Sequence, residues 1–421
     1  MNEARPPGPM YRRGPRPLAL HLGLAMLSAS ASQAGWRNSK PGSPSWNAIA
    51  EQAALVFNSL LSAPQQENHG MFAALLAESV GQKTLGQNRE LIAGIAAYRR
   101  HPWQRDLPDP PACWQEGGSR LLDYAPNETS HAPTQTTVLF VPSLINRATI
   151  LDLMTGHSML RFLAAQRVRP LLLDWGWPGS LERGFTLTDY IAGRLERALE
   201  AAVRLAGQPV VLAGYCMGGT LAVAAAQRRP NLLRGLALLA APWDFHAGDA
   251  GRGRELAAQL PLLEPVMALS AALPVDALQT LFTLVDPDGV AAKYRAFASL
   301  DQTTERAKLF VALEDWLNDG VPLAAPVARE CLAHWYGANQ PALGQWHVAG
   351  ARVNPAAITM PCFVAVPARD RIVPPESARP LAALIPKADL HIPSAGHVGM
   401  VAGRNAETAL WRPLLHWLGR I

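Results

Sequence analysis

The sequence predicts an α/β fold: a mostly parallel central sheet covered by helices, with a helical cap insertion and a helical N-terminal extension. Three observations predict it. Short continuous apolar runs alternate with helix-patterned stretches from Thr137 onward, the signature of parallel strands buried on both faces. One such run, Val210-Val211-Leu212-Ala213, leads through Gly214-Tyr215-Cys216-Met217-Gly218-Gly219 into the Ala/Leu-rich helical run Leu221 to Gln227. Finally, the segment between Ala241 and Cys362 carries little β pattern and reads as helices, too long for a structureless loop. At 421 residues, 49% apolar and 17% charged, the chain suffices for one large domain with an extension, or for two domains.

In chain order, residues 1–44 are rich in Pro, Arg, Ser and Gly and read as a loose segment around one apolar patch. Arg12-Arg13 precedes the apolar run Leu18 to Leu27, and Ser32-Gln33-Ala34 resembles a cleavage site. The run is short, holds His21 and follows Pro15-Arg16-Pro17. An amphipathic helix lying on the protein or on a hydrophobic surface is therefore preferred to a signal peptide. Residues 45–106 form a helical region: Ile49, Ala53, Val56, Phe57 and Leu60 recur at helical spacing, and a second segment runs from Leu91 to Tyr98. Leu107-Pro108-Asp109-Pro110-Pro111 is a linker.

Residues 107–421 are the expected catalytic domain. Strands are predicted at Thr137 to Val141, Pro170 to Asp174, Val210 to Ala213, Leu236 to Ala240, Cys362 to Val366 and Asp389 to Pro393. Helices are predicted at Leu160 to Ala165, at Thr188 to Leu205 with Thr186 or Thr188 as N-cap, after the Gly214–Gly219 turn, and near Ser377 to Leu384. The cap insertion spans about residues 245–358, with helices at Glu255 to Leu273 (broken at Pro261 and Pro265), Asp276 to Leu284, Gly289 to Leu300, Thr304 to Trp316 and Pro326 to Tyr336.

Composition excludes several function classes. The net charge of +5 is spread along the chain, with no Lys/Arg block interleaved with aromatics, so nucleic-acid binding is not expected. The four cysteines, Cys113, Cys216, Cys331 and Cys362, show no paired spacing, which argues against a disulfide framework and a zinc site. A reducing, cytoplasmic compartment is expected, where a thiol stays free. The eleven histidines show no metal-ligand spacing, and no apolar run reaches transmembrane length.

The chemistry centres on Cys216. A G-x-nucleophile-x-G pattern between a strand and a helix is a nucleophile elbow, and Gly214, Gly218 and Gly219 let strand and helix backbones approach. The helix N-terminus favours a thiolate. The plain alternative is a buried cysteine in a Gly-rich turn. A cysteine nucleophile needs a base, and the base an orienting carboxylate. In α/β-hydrolase order the acid follows the nucleophile and the histidine comes last. Asp370, just beyond the strand Cys362–Val366, and His397, beyond the last strand, satisfy that order at the carboxyl edge of the sheet. Asp244 is the fallback acid, and His391 and His416 are weaker bases. The oxyanion donors would be the N–H of Met217 and one from the loop Pro142-Ser143-Leu144-Ile145-Asn146. The alternative role of the Asn146 side chain is to organise that loop.

On these residues the chain resembles the polyhydroxyalkanoate synthases, acyl-CoA polymerases on the α/β-hydrolase fold. The likeness runs through roughly residues 100–421: Val141-Pro142-Ser143-Leu144-Ile145-Asn146-Arg147 with Ile150 to Leu153, Asp174-Trp175-Gly176-Trp177-Pro178, Thr188-Asp189-Tyr190, the Gly214–Gly219 elbow, Trp316-Leu317-Asn318-Asp319-Gly320, Ala368-Arg369-Asp370 and Gly396-His397. The family's cysteine, aspartate and histidine fall on Cys216, Asp370 and His397. Two positions depart from its pattern: Leu144 replaces an aromatic residue and Arg371 a histidine.

The resemblance implies polymerisation of (R)-3-hydroxyacyl-CoA through a thioester on Cys216, with CoA carried by the substrate and no other cofactor. It also implies a polyester chain or granule as partner, and a homodimer or partner subunit. Two further readings remain open. The same triad would serve a thioesterase, esterase or depolymerase, and an inactive fold-mate would bind granules or another synthase.

Overall fold

The computed structural model describes residues 12–25, 86–125, 136–285 and 289–421. These form two compact units, residues up to 102 with 286–310, and residues 103–285 with 311–421. The expected helices over 45–85 and the Ser32–Ala34 stretch lie outside the described residues.

In the first unit, residues 18–25 and 86–100 are helical, and His21 and Ala25 of the N-terminal apolar run are buried. Helix 86–100 packs on Gly289–Ala298. A side-chain carbon at Gly94 would fall 1.9 Å from the Tyr294 carbonyl oxygen, so only glycine permits the contact. Edge-on pairs link Tyr98 to Tyr294 (5.6 Å) and Tyr294 to Phe310 (5.5 Å), and Phe297 stacks on Phe310 at 4.1 Å. Residues 286–310, expected in the cap of the catalytic domain, thus group with the N-terminal helices instead. Sequence periodicity gives each helix a buried face but does not say against which partner.

The second unit is built on an eight-stranded sheet. Its strands are β1 (Ala112–Glu116), β2 (Ser119–Asp123), β3 (Thr137–Val141), β4 (Arg169–Asp174), β5 (Val210–Tyr215), β6 (Leu233–Leu239), β7 (Cys362–Ala365) and β8 (Ala388–His391). The spatial order is β1-β2-β4-β3-β5-β6-β7-β8. From β4 to β8 all neighbours are parallel, whereas β1–β2 and β2–β4 are antiparallel. Strands β3 and β5 are buried at every residue because helices cover both faces, and their unbroken apolar runs reflect that. The edge strand β8 is half-exposed and carries Asp389 and His391.

The β1–β2 hairpin was not expected from the sequence, where no element is predicted between the linker ending at Pro111 and the strand at Thr137. Its turn, Gly117-Gly118, is the one local signal, and Gly117 adopts φ +56°. A buried charge cluster anchors it: Arg194 pairs with Glu182 at 3.0 Å and donates to Ser119 Oγ at 2.9 Å.

Helices α1 (Met159–Ala165), α2 (Glu196–Ala206), α3 (Met217–Arg228), α4 (Pro375–Leu384), α5 (His397–Ala402) and α6 (Arg412–Leu418) belong to this unit. Helix α2 is entered through a wide π-type turn, Asp189–Leu195, and stops at left-handed Gly207. Thr186 and Asp189 bond each other reciprocally at its start, which selects Thr186 as the cap.

Between β6 and β7 the second unit carries helices Ala250–Ala257, Leu260–Ser270, Val275–Val285 and Ala325–Arg329, the last continuing as a π-type helix to Gly337. The break expected at Pro261 falls at Ala258-Gln259 instead. Pro261 sits in the first turn, where its missing N–H costs nothing, and Pro265 is carried inside the helix. Two short antiparallel strand pairs, Ala272–Leu273 with Leu323–Ala324 and the hairpin His347–Val348 with Ala351–Arg352, also escape the sequence pattern.

Candidate active site

Strand β5 runs into α3 through Cys216, which adopts φ 56° and ψ −130°. Such a conformation is costly for a side-chain-bearing residue and persists where the surroundings enforce it. Here Cys216 N donates to Leu239 O at 2.9 Å, and Gly219 N donates to Cys216 O at 2.8 Å. Three glycines make the turn sterically possible. A side-chain carbon at Gly214 would lie 2.4 Å from Gly219 Cα, one at Gly218 would lie 2.1 Å from Val141 O, and one at Gly219 would lie 2.4 Å from Ala241 Cβ. Cys216 remains partly exposed, while Cys362 is buried in β7.

Asp370 follows β7 and is buried. Its Oδ1 accepts from the backbone N–H groups of Ile372 and Val373, both at 2.9 Å, leaving Oδ2 directed at the histidine. His397 Nδ1 lies 2.6 Å from that Oδ2, and Cys216 lies close enough to the imidazole to act on its charge. Burial disfavours the imidazolium, but Cys216 and Asp370 outweigh it and raise the His397 pKa to about 10. Of the three residues predicted from separate parts of the sequence, Asp370 and His397 are in direct contact, with Cys216 near the imidazole.

The fallback residues do not join it. Asp244 Oδ1 accepts from His246 N and Asn339 Nδ2, both at 2.9 Å, and so shapes the turn after β6. His391 Nε2 bonds Ala409 O at 2.6 Å and its ring stacks on Phe363. His416 is exposed on α6.

Met217 is the first residue of α3, where an N–H has no acceptor within the helix. The loop after β3 approaches the same elbow through the Val141 and Pro142 carbonyls against Gly218. Within the loop, Ser143 Oγ accepts from Ile145 N at 3.2 Å and Leu144 is buried. Asn146 Oδ1 is buried without a hydrogen-bond partner among the described residues. Trp175 braces the loop by donating from Nε1 to Pro142 O at 3.0 Å.

Two aromatic residues near the nucleophile were not singled out from sequence. Tyr215 is buried, its hydroxyl donates to His397 O at 3.3 Å, and its ring lies 5.1 Å from the imidazole. Tyr336, from the helical segment before β7, has its hydroxyl pKa pushed up by burial and then by Cys216 and Cys331. In the sequence Tyr215 stands beside Cys216 within the elbow and Tyr336 ends a predicted helix, and only the tertiary fold brings His397 to the first and the second to Cys216.

A family model described as alpha/beta hydrolase fold matches residues 136–403. The chain is 30% identical over 312 residues to the poly(3-hydroxyalkanoate) polymerase subunit of Haloferax mediterranei, covering 72% of this chain and 62% of that protein. It is 28% identical over 318 residues to the protein of the same name from Synechocystis, covering 73% and 83%. The corresponding subunit of Allochromatium vinosum is 27% identical over 308 residues, covering 71% and 85%. The match thus spans less than two thirds of the Haloferax protein and more than four fifths of the other two. The matched region holds β3, the elbow, Asp370 and His397 together, and the chain belongs to the α/β-hydrolase fold family, in which it resembles the poly(3-hydroxyalkanoate) polymerase subunits.

Proposed function

We propose that the chain is an acyltransferase that polymerises (R)-3-hydroxyacyl groups from their CoA thioesters into polyhydroxyalkanoate, releasing CoA. The observation that carries this reading is Cys216 on a strained elbow, near a histidine that Asp370 orients, in a chain similar to polyhydroxyalkanoate polymerase subunits.

In this reading His397 takes the Cys216 proton, and the sulfur attacks the thioester carbonyl of the substrate. The carbonyl oxygen becomes an oxyanion held by the Met217 N–H and a donor from the Ser143–Asn146 loop. Collapse expels CoA, whose sulfur takes the proton from His397, and leaves the acyl group on Cys216. One thioester has replaced another, so the acyl group keeps its reactivity, whereas serine would trap it as a more stable oxygen ester. A 3-hydroxyl group then attacks this thioester, giving its proton to His397, and the new ester bond lengthens the chain. Asp370 holds the imidazole and supports its positive charge. The helices before β7 serve as a cap that keeps water from acting as acceptor, which would make the enzyme a thioesterase.

The intermediate is testable directly. Protein incubated briefly with (R)-3-hydroxybutyryl-CoA, quenched in acid and digested, should carry the hydroxybutyryl mass on the Cys216 peptide. Acylation elsewhere, or none while CoA is released, would overturn the covalent route.

A further inference from the structure

The loop after β3 is held on two sides. Its start is fixed to the elbow by the approach of Val141 and Pro142 to Gly218. Its end is gripped by residues 316–321. Trp316, which is buried, donates from Nε1 to the Arg147 carbonyl at 2.8 Å, and the Val321 N–H donates to the Ile145 carbonyl at 2.8 Å. Between these points Asp319 Oδ2 lies 3.2 Å from Arg147 Nε, and the Arg147 guanidinium also lies over the Trp177 ring at 5.5 Å. Gly320 fits against the loop, since a side-chain carbon there would lie 2.9 Å from Val275 Cγ1 and 3.5 Å from Asn146 Oδ1.

A planar trans peptide points its N–H opposite to its carbonyl. Bonding the Ile145 and Arg147 carbonyls to the strap therefore aims the N–H groups of Asn146 and Ala148 away from it and fixes two peptide planes of the loop. An oxyanion donor must be held to within about 0.5 Å to act. We propose that Trp316, Asp319 and Val321 form a strap of positioning residues that sets the oxyanion donor of the Ser143–Asn146 loop. Acyl transfer at Cys216 then depends on residues that act through the loop. The proposal rests on the assignment of Cys216 as nucleophile and of this loop as oxyanion donor. The exposed Arg147–Asp319 ion pair is the weaker part of the strap. The two hydrogen bonds to loop carbonyls are the stronger part.

The test compares two reactions of the same thiol. Alkylation of Cys216 by iodoacetamide develops no oxyanion, whereas acylation by p-nitrophenyl butyrate passes through one. Trp316→Phe keeps an aromatic ring and removes the donor, and Asp319→Asn keeps the shape and removes the charge. Loss of a whole oxyanion donor costs about 10²–10³-fold in kcat, so a displaced loop in Trp316→Phe should cost about tenfold, with KM within about twofold. Asp319→Asn should show a smaller fall of the same kind. Alkylation of the Cys216 peptide, read by mass spectrometry, should match wild type in both variants. Equal falls in alkylation and acylation, or unchanged acylation in both variants, would overturn the strap. If Trp316→Phe does not fold, Asp319→Asn alone decides: slower acylation with normal alkylation supports the strap, and any other pattern overturns it. Wild-type protein whose Cys216 resists iodoacetamide would instead overturn the nucleophile assignment and the strap with it.

Discussion

His397 Nδ1 lies 2.6 Å from Asp370 Oδ2 although 27 positions separate them in sequence, and two backbone N–H groups bind the other carboxylate oxygen. That arrangement fixes the tautomer and tilt of the imidazole that faces Cys216. Asp370→Asn keeps the shape but loses the charge that supports the imidazolium, and kcat should fall by about 10²–10⁴-fold with the fold intact. CoA release, alongside circular dichroism of the variant, checks this. Activity within a few-fold of wild type would remove Asp370 from the site.

The electrostatics of His397 give a pH signature. Its pKa rises from 6.5 to about 10 because Cys216 and Asp370 outweigh the burial that would lower it. A raised pKa means that the charged imidazolium stabilises the native state. That contribution is complete below pH 6.5 and is lost as pH rises through about 10. An NMR titration of the His397 ring should therefore stay in the protonated state through neutral pH. In Cys216→Ala, with the sulfur gone, the midpoint should move down. A midpoint near 6.5 in both proteins would contradict the thiol–imidazole coupling.

The elbow leaves no room for a methyl group at Gly218, where a side-chain carbon would meet Val141 O at 2.1 Å. Gly218→Ala should force the β3 loop and the elbow apart, destabilising the protein by about 1–3 kcal/mol or more. It should also lower acylation beyond what that loss of stability explains. Urea denaturation together with p-nitrophenyl butyrate turnover separates the two effects. An alanine variant with wild-type midpoint and turnover would show that the approach is not required.

Away from the chemistry, Arg194 and Glu182 form a buried pair at 3.0 Å that anchors the β1–β2 turn. Arg194→Leu leaves Glu182 buried without its partner and should cost about 3–5 kcal/mol, while the double variant Arg194→Leu/Glu182→Gln should recover part of it. Additive losses in denaturation midpoints would mean that the two residues do not act as a pair.

Much of the site was legible in the sequence because local chemistry marks it. Gly214, Gly218 and Gly219 surround a lone cysteine between a strand and a helix, and Asp370 and His397 each follow a strand on the same edge of a parallel sheet. The β1–β2 hairpin was not legible, since its strands are short, β1 is largely exposed, and an ion cluster drawn from Arg194 and Glu182 holds it. The grouping of residues 286–310 with the N-terminal helices was hidden for a related reason. Amphipathic helices such as Gly289–Ala298 declare a buried face without naming the partner, and here a glycine at position 94 selects it. Tyr215, Tyr336 and the strap were hidden because each acts through contacts far apart in the chain, such as Trp316 with Arg147.

The central claim is that an acyl group leaves CoA for Cys216 and then passes to a hydroxyl rather than to water. Purified protein incubated with (R)-3-hydroxybutyryl-CoA tests it most directly, with free thiol followed by colour reagent and the products separated by solubility and mass. The account predicts CoA release together with insoluble polyester, and loss of both in Cys216→Ala. Free 3-hydroxybutyrate as the sole product, or undiminished turnover in Cys216→Ala, would contradict it.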